Sequence, residues 1–441
     1  MAVALCATAL QAQNNPTYRF ITNLGNIDVV LTPSVAPKTV ANFLSYVNAG
    51  YYNNTIFHRS VPGFVVQAGG YQYFPNQTPN VVAIPQSPAI PNEFNVTNAT
   101  GTIAMALVSG NSNSATSQWF FNLANNGTNA NALDSQMFTV FGQTNAAGIK
   151  VLNLIAAQPV FDYSATYGSD FSTLPLSGGQ TGTFIVVQSI VPVPTITSAG
   201  FLSAASYAPN STTGISPGEI LTVFGEGMGP SQLATFTVPA SGPIATNLAG
   251  TQVFFNGQAA PLIYTSNGQL SVIAPYSIGD LPTVSVSMSY NGIQSGALNF
   301  PVKAANPAIF TLNASGSGDG VIVKYQGSSY TVISASSPAS PGDVLTLFGE
   351  GYGAATTGSA VPDGTIVTST LPVPANPTTL LIDGNQVTTS YVGGAPYEIN
   401  AVLQVNFTVP QLAPGSHTIQ LKVSTPNGDR ISPSTVTIQT K

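Results

Sequence analysis

The sequence predicts a mostly β protein: a closed antiparallel barrel with two helices, followed by two β-sandwiches. Three observations carry that prediction. Short runs rich in Val, Ile, Thr, Tyr and Phe recur along the 441 residues, separated by 42 glycines and 34 prolines, the punctuation of strands and turns. Helical periodicity is confined to two stretches before the Val191-Pro-Val-Pro194 segment. After that segment the chain repeats itself in strand-like blocks.

In chain order, Tyr18-Arg-Phe-Ile-Thr-Asn and Gly25-Asn-Ile-Asp-Val-Val-Leu31 read as a hairpin closed around Leu24 and Gly25. A helix is predicted over 36–49, with Pro37 in its first turn, Val40, Phe43, Leu44 and Val47 as its apolar stripe, and Gly50 past its end. A shorter helix over 148–156 presents Val151, Leu152 and Ile155. Residues 161–182, rich in Ser, Gly and Thr, read as a surface loop before a last strand over 183–189.

Beyond residue 193, Ser216-Pro-Gly-Glu-Ile-Leu-Thr-Val-Phe-Gly-Glu-Gly-Met-Gly229 recurs as Ser340-Pro-Gly-Asp-Val-Leu-Thr-Leu-Phe-Gly-Glu-Gly-Tyr-Gly353. Val253-Phe-Phe-Asn-Gly257 matches Leu380-Leu-Ile-Asp-Gly384, and Gln269-Leu-Ser-Val-Ile-Ala-Pro275 matches Gln404-Val-Asn-Phe-Thr-Val-Pro410. The alternation of apolar and polar residues, as in Leu221-Thr-Val-Phe224, is that of strands with one buried face. Two copies of one sandwich are expected, over 194–302 and 303–441. Glu226 and Glu350 hold equivalent places, which suits a structural turn, with a calcium site as the lesser alternative.

Composition narrows the function. Only 5% of the chain is charged, with nine Lys+Arg, fifteen Asp+Glu and a net charge of −6, so no basic surface exists to neutralise a row of phosphates and nucleic acid is excluded as a partner. Cys6 is the only cysteine and His58 and His417 the only histidines, too few for a disulfide framework or a histidine-built metal site. Residues 1–13, Met-Ala-Val-Ala-Leu-Cys-Ala-Thr-Ala-Leu-Gln-Ala-Gln, read as the later part of a secretory signal peptide cut short of its positive region. No later stretch approaches the ~20 apolar residues of a membrane span. Export is expected, to the periplasm, the cell surface or the medium.

The motifs of residues 14–193 are more specific. Phe57-His-Arg-Ser-Val-Pro-Gly-Phe-Val-Val-Gln67 is followed by Pro91-Asn-Glu-Phe94, Gly101-Thr-Ile-Ala-Met-Ala106, Ser114-Ala-Thr-Ser-Gln-Trp-Phe-Phe121, Leu133-Asp134 and Phe138-Thr-Val-Phe-Gly142. This ordered set resembles the cyclophilin-type peptidyl-prolyl cis/trans isomerases, bacterial branch. The later repeats resemble immunoglobulin-like TIG modules.

The first resemblance implies a peptidyl-prolyl isomerase acting on proline-containing peptides and folding client proteins, with no cofactor and no metal. Arg59, Phe64 and Gln67 would be catalytic. Val65, Ala106, Leu107, Gln118, Phe120, Leu133 and Phe138 would bind substrate, Leu107 through its backbone. On composition alone, barrel core is the favoured reading of Phe64, Phe120 and Leu133. His58 reads as a satisfied structural histidine, and Trp119 as pointing inward, opposite in parity to Gln118 and Phe120.

The chemistry agrees with such a set. Rotation about an X–Pro bond is opposed by ~18–20 kcal/mol of amide resonance, and no bond is broken. A fixed cation donating a hydrogen bond to the pyramidal prolyl nitrogen favours the twisted amide over both planar ones. Arginine stays protonated and offers rigid donors. Four positions depart from the family pattern: Ala132 where an aromatic is common, Phe138 for His or Tyr, and Ser60 with Ala68 for aliphatic and Gly choices. The first implies weak cyclosporin binding. A competing reading is a surface adhesion protein that uses the barrel to dock proline peptides with little turnover.

Overall fold

The computed structural model of the protein describes residues 15–128, 132–240, 242–357 and 361–441. The signal peptide expected over 1–13, with Cys6, lies outside the described residues. The chain divides at Val193 and Pro194 into two compact units.

In the first unit, β1 (Thr17–Thr22) and β2 (Gly25–Leu31) form a hairpin with Thr22 opposite Gly25. The Thr22 hydroxyl locks the turn, donating to the Gly25 carbonyl and accepting from the Leu24 N–H. Helix α1 (Pro37–Asn48) follows. Its exposed N-terminal donors converge on one acid: the Lys38 and Thr39 N–H groups and the Thr39 hydroxyl all donate to the Glu93 carboxylate, at 2.8–3.1 Å. A negative charge there also opposes the helix dipole. Gly50, at φ 71°, ends the helix in the left-handed turn that lets Tyr51 donate to the Tyr46 carbonyl. The buried face is Thr39, Val40, Phe43 and Tyr46, with Leu44 and Val47 half-buried beside it.

The remaining strands are β3 (Thr55–Ile56), β4 (Arg59–Val61), β5 (Val65–Ala68), β6 (Tyr71–Tyr73), β7 (Val81–Ala83), β8 (Thr102–Met105), β9 (Trp119–Asn122) and β10 (Val140–Thr144). After helix α2 (Ala146–Ala156) come β11 (Val160–Phe161), β12 (Leu174–Ser177), β13 (Thr183–Phe184) and β14 (Val186–Val193). Helix α2 starts two residues before its predicted position because the Asn145 side chain caps it, accepting from the Ala147 and Gly148 N–H groups.

Eleven strands form one antiparallel sheet in the order β4-β5-β9-β8-β10-β2-β1-β14-β3-β6-β7. The closed barrel expected from the sequence is therefore corrected to an open half-barrel, with β4 and β7 as unjoined edges. The break lies at Phe57 and His58. Through Ile56 the chain pairs with β14 and β6, and Phe57 still donates to the Ile185 carbonyl. His58 then donates to the Gln67 carbonyl, and from Arg59 onward the partner is β5. A single extended stretch changes partners midway, and the ladder ends there.

The concave face of the sheet and α1 enclose an aromatic core. Trp119, fully buried, meets Phe20, Tyr52, Phe57 and Phe121 edge-on at 5.2–6.1 Å. A second correction concerns residues 161–182, expected as a loop. They supply the central strand β12 of the three-stranded sheet β11-β12-β13, the end of β11, and short helical turns at Ser164–Tyr167 and Ser169–Phe171. Phe171, Leu174 and Leu176 close on Ile56 as a small core of their own.

In the second unit, each repeat builds two sheets around one core. The first core joins Leu221, Val223, Leu270 and Val272 of one sheet to Val253, Phe255, Val284 and Val286 of the other. The second joins Leu345, Leu347, Val405 and Phe407 to Leu380, Ile382, Ile419 and Leu421. The repeated strands Ile220–Glu226 and Val344–Glu350 both run into left-handed glycines, Gly227 at φ 65° and Gly351 at φ 70°, as the bend predicted from the Phe-Gly-Glu-Gly blocks requires.

The two repeats are joined by buried chemistry. Glu350, fully buried, accepts from the Ser203 hydroxyl, the Ala205 N–H and the Ile220 N–H, each at 2.8 Å. Glu219, also fully buried, accepts from Ser216 and Asn210 of its own repeat and from Asn306 of the other. Burial raises Glu219 to about 7. Burial and the nearby Glu219 charge raise Glu350 to about 8. Ala204, Ile220, Ile244 and Ile273 pack with Ile399 and Ala401 across the same junction. Glu226, the sequence counterpart of Glu350, is only half-buried.

Candidate active site

Strand parity builds the site. Along β5, Val66 and Ala68 face the aromatic core, so Val65 and Gln67 face the other side. Arg59 lies directly across from Gln67, Gln67 from Phe120, Phe120 from Ala104, and Ala104 from Val140. One row across five neighbouring strands thus presents a cation, an amide and an aromatic ring on a single surface.

Above that row is a cavity of about 250 Å³ lined by Arg59, Phe64, Val65, Gln67, Ala106, Leu107, Phe120, Leu133, Gln136 and Phe138. Nine of these ten were singled out from the sequence. Its apolar side is a satellite cluster of Val65, Ala104, Phe120, Leu133 and Val140 with Phe64, Ala106 and Phe138. Phe120 meets Phe138 edge-on at 5.5 Å. The alternative left open for Phe64, Phe120 and Leu133 resolves by geometry: they belong to this slot, not to the main core.

Arg59 stands at one end of the slot, its guanidinium carbon 5.8 Å from the centre of the Phe64 ring. Nη1 donates to Gln67 Oε1 at 3.4 Å, and Gln67 Nε2 donates to Gln118 Oε1 at 2.7 Å. Gln118 does not line the cavity; it sits behind Gln67 and holds it. Burial lowers the Arg59 pKa from its ordinary value. No carboxylate pairs with Arg59 among the described residues, so its charge is directed to the cavity and not spent internally. The Leu107 main chain enters no hydrogen bond among the described residues, since β8 ends at Met105 and the next contacts are Ala106 N–H to Gln118 and Val108 N–H to Ser114.

His58, next to Arg59, is fully buried between Tyr71 and Phe171. The sequence reading of a satisfied histidine is corrected: neither ring nitrogen has a partner of good geometry. Burial pulls its pKa down to about 4, only partly offset by Asp170, Gln118 and Ile56. It is neutral and carries no proton to the site. The sequence reading missed Gln136, whose signal was its place two residues before Phe138. No group of three His, Cys, Asp or Glu side chains that could hold a metal occurs among the described residues.

A slot with apolar walls, a cation at its end with no carboxylate partner among the described residues and a main chain left open at Leu107 suit a class of enzyme that binds its substrate without covalent attack. Comparison with known proteins makes this specific. Residues 17–169 match the family model for cyclophilin type peptidyl-prolyl cis-trans isomerase/CLD. A peptidyl-prolyl cis-trans isomerase of Acinetobacter baylyi is 43% identical over 150 residues, covering 33% of this chain and 73% of that protein. Peptidyl-prolyl cis-trans isomerase A of Dickeya dadantii is 39% identical over 137 residues, covering 31% and 68%. A crystal structure of a Cryptosporidium parvum cyclophilin with the dipeptide Ala-Pro shares 24% identity, covering 40% of this chain and 98% of that one, with a TM-score of 0.29. The chain belongs to the cyclophilin-type peptidyl-prolyl cis-trans isomerases. Its activity is isomerisation of X–proline peptide bonds.

Proposed function

We propose that the protein is an exported foldase in which Arg59 drives rotation of the X–Pro bond of folding client proteins. The carrying observation is the half-buried, carboxylate-free guanidinium of Arg59 at the end of the apolar slot. The proline ring enters between Phe64, Phe120, Leu133 and Phe138, and the Leu107 main chain holds the flanking peptide. As the amide twists, the prolyl nitrogen regains its lone pair and accepts from Arg59. That bond is absent from both planar states, so it stabilises only the transition state. Gln67, anchored by Gln118, fixes the guanidinium so that little reorganisation accompanies the step.

Export is supported by the apolar, small-residue stretch over 1–13. The two-sheet repeats of residues 194–441 read as immunoglobulin-like TIG-type modules that position the isomerase.

The test is catalysed cis-to-trans conversion of a proline tetrapeptide by the full chain and by Arg59→Ala. A loss of about 10²–10³-fold in kcat/KM is expected, the range for removing one transition-state donor. Equal turnover by the two proteins overturns the mechanism. Fractionation of the host, with the protein recovered wholly in the cytoplasm, overturns export.

A further inference from the structure

Behind the slot, and outside its lining, runs a string of buried amides. Asn98, Asn122 and Asn126 are each fully buried, and Thr102 nearly so. Each amide nitrogen spends both of its hydrogens. Asn126 Nδ2 donates to the Phe64 carbonyl at 2.8 Å and to Asn122 Oδ1 at 2.9 Å. Asn122 Nδ2 donates to Asn98 Oδ1 at 3.1 Å and to Thr102 Oγ1 at 2.9 Å. Asn98 Nδ2 donates to Asp134 Oδ1 and to the Phe138 carbonyl, both at 3.0 Å. The main-chain carbonyl of Asn126 in turn accepts from the Leu133 N–H at 3.0 Å, so the same residue that anchors Phe64 by its side chain holds Leu133 by its backbone.

The ends of the string are the main chains of three slot walls, Phe64, Leu133 and Phe138. These walls come from separate segments: the β4–β5 turn and the loop leading into β10. Apolar contact alone fixes neither their separation nor their orientation, because it is non-directional. The amides do, because each bond sets a distance and an angle, and a buried amide that loses its partner is costly. Asparagine is also a poor strand former, yet Asn122 ends β9 at the centre of this lattice.

We propose that Asn126, Asn122 and Asn98 are positioning residues for isomerisation, setting the width of the proline slot through the backbones of Phe64, Leu133 and Phe138. None touches substrate. The inference rests on the reading of this cavity as the active site, so its test carries Arg59→Ala alongside.

The decisive variant is Asn126→Asp in the full chain, assayed by protease-free NMR exchange on a proline tetrapeptide, which separates kcat from KM. Above the pKa of the new acid, the carboxylate cannot donate to the Phe64 carbonyl, and the slot loses its anchor. A fall of about tenfold or more in kcat/KM, carried mainly by KM, is expected from misplacing a binding wall. Acidification restores a donor, so activity rises as pH falls while the wild type stays level. A general loss of fold would instead follow the folded fraction, measured in parallel by near-UV circular dichroism.

Unchanged KM in a folded Asn126→Asp protein overturns the proposal, as does a loss with no recovery in acid. If Arg59→Ala retains full activity, the site assignment itself fails, which is a separate result. Should Asn126→Asp not fold, Thr102→Val removes the acceptor beneath Asn122, together with the hydroxyl's own bond to the Ala99 carbonyl, and touches no slot wall. A raised KM in that variant supports the string; an unaltered KM overturns it.

Discussion

At the scale of single residues, the site separates charge that works from charge that is absent. Among the described residues no carboxylate compensates the Arg59 cation, while its neighbour His58 is held neutral by burial. Because rotation moves no proton and His58 does not titrate near neutrality, kcat/KM is expected to stay flat from about pH 6 to 9. A bell-shaped profile would contradict this. Stability behaves differently. The folded pKa of His58 lies below its unfolded value of 6.5, at about 4, so its contribution is complete above 6.5 and is lost as pH falls toward 4. The melting temperature should drop across that window, and His58→Phe should reduce the drop.

The rim offers a further residue-scale prediction. Ala132, at φ 45°, precedes Leu133 without contributing to the slot. With no aromatic surface at that point, cyclosporin inhibition titrated against the full chain should be weak; low-nanomolar potency would overturn the reading.

At the scale of elements, the sequence was legible where one period dominated. The β1–β2 hairpin, α1 and the alternating face of β5 follow directly from two-residue and 3.6-residue periods. Helix α2 was misplaced at its start because Asn145 acts through capping, which periodicity does not report. Residues 161–182 were misread because Ser, Gly and Thr outnumber the aromatic residues that make their core, and those residues are spaced irregularly. The slot walls were legible only through motif order, since Phe120 and Trp119 are adjacent aromatics with opposite destinations. The amide string was illegible: Asn98, Asn122 and Asn126 come from different segments and look like ordinary polar residues until they are buried.

Glu93 gives an element-scale prediction. It caps α1 from 54 residues away through three hydrogen bonds. Glu93→Ala should destabilise the first unit by about 1–2 kcal/mol, as loss of a strong helix cap does. Denaturant midpoints would register it; an unchanged midpoint would show that water replaces the carboxylate at no cost.

At the scale of the whole molecule, residues 194–441 form one compact unit, and cooperative unfolding of its two repeats is the expected consequence. Three donors of the first repeat surround Glu350 of the second, so Glu350→Ala leaves them buried and unpaired. The expected outcome is a lower melting temperature and the splitting of one calorimetric transition for this unit into two. The sign of the pH effect follows from the raised acidities. Glu219 and Glu350 have folded values of about 7 and 8 against 4.5, so their stabilisation is complete below about 4.5 and is lost as pH rises toward 8. Glu350→Gln, which keeps the shape without the charge, should flatten that decline.

The same junction makes the duplication directional. Glu226 and Glu350 occupy matching positions in matching blocks, yet the later one alone is fully buried, and the donors around it belong to the earlier copy. Exchanging the order of the copies would present those donors to solvent and strand their carboxylate. The repeat is therefore a sentence with a fixed word order: its halves descend from one pattern but are no longer interchangeable parts.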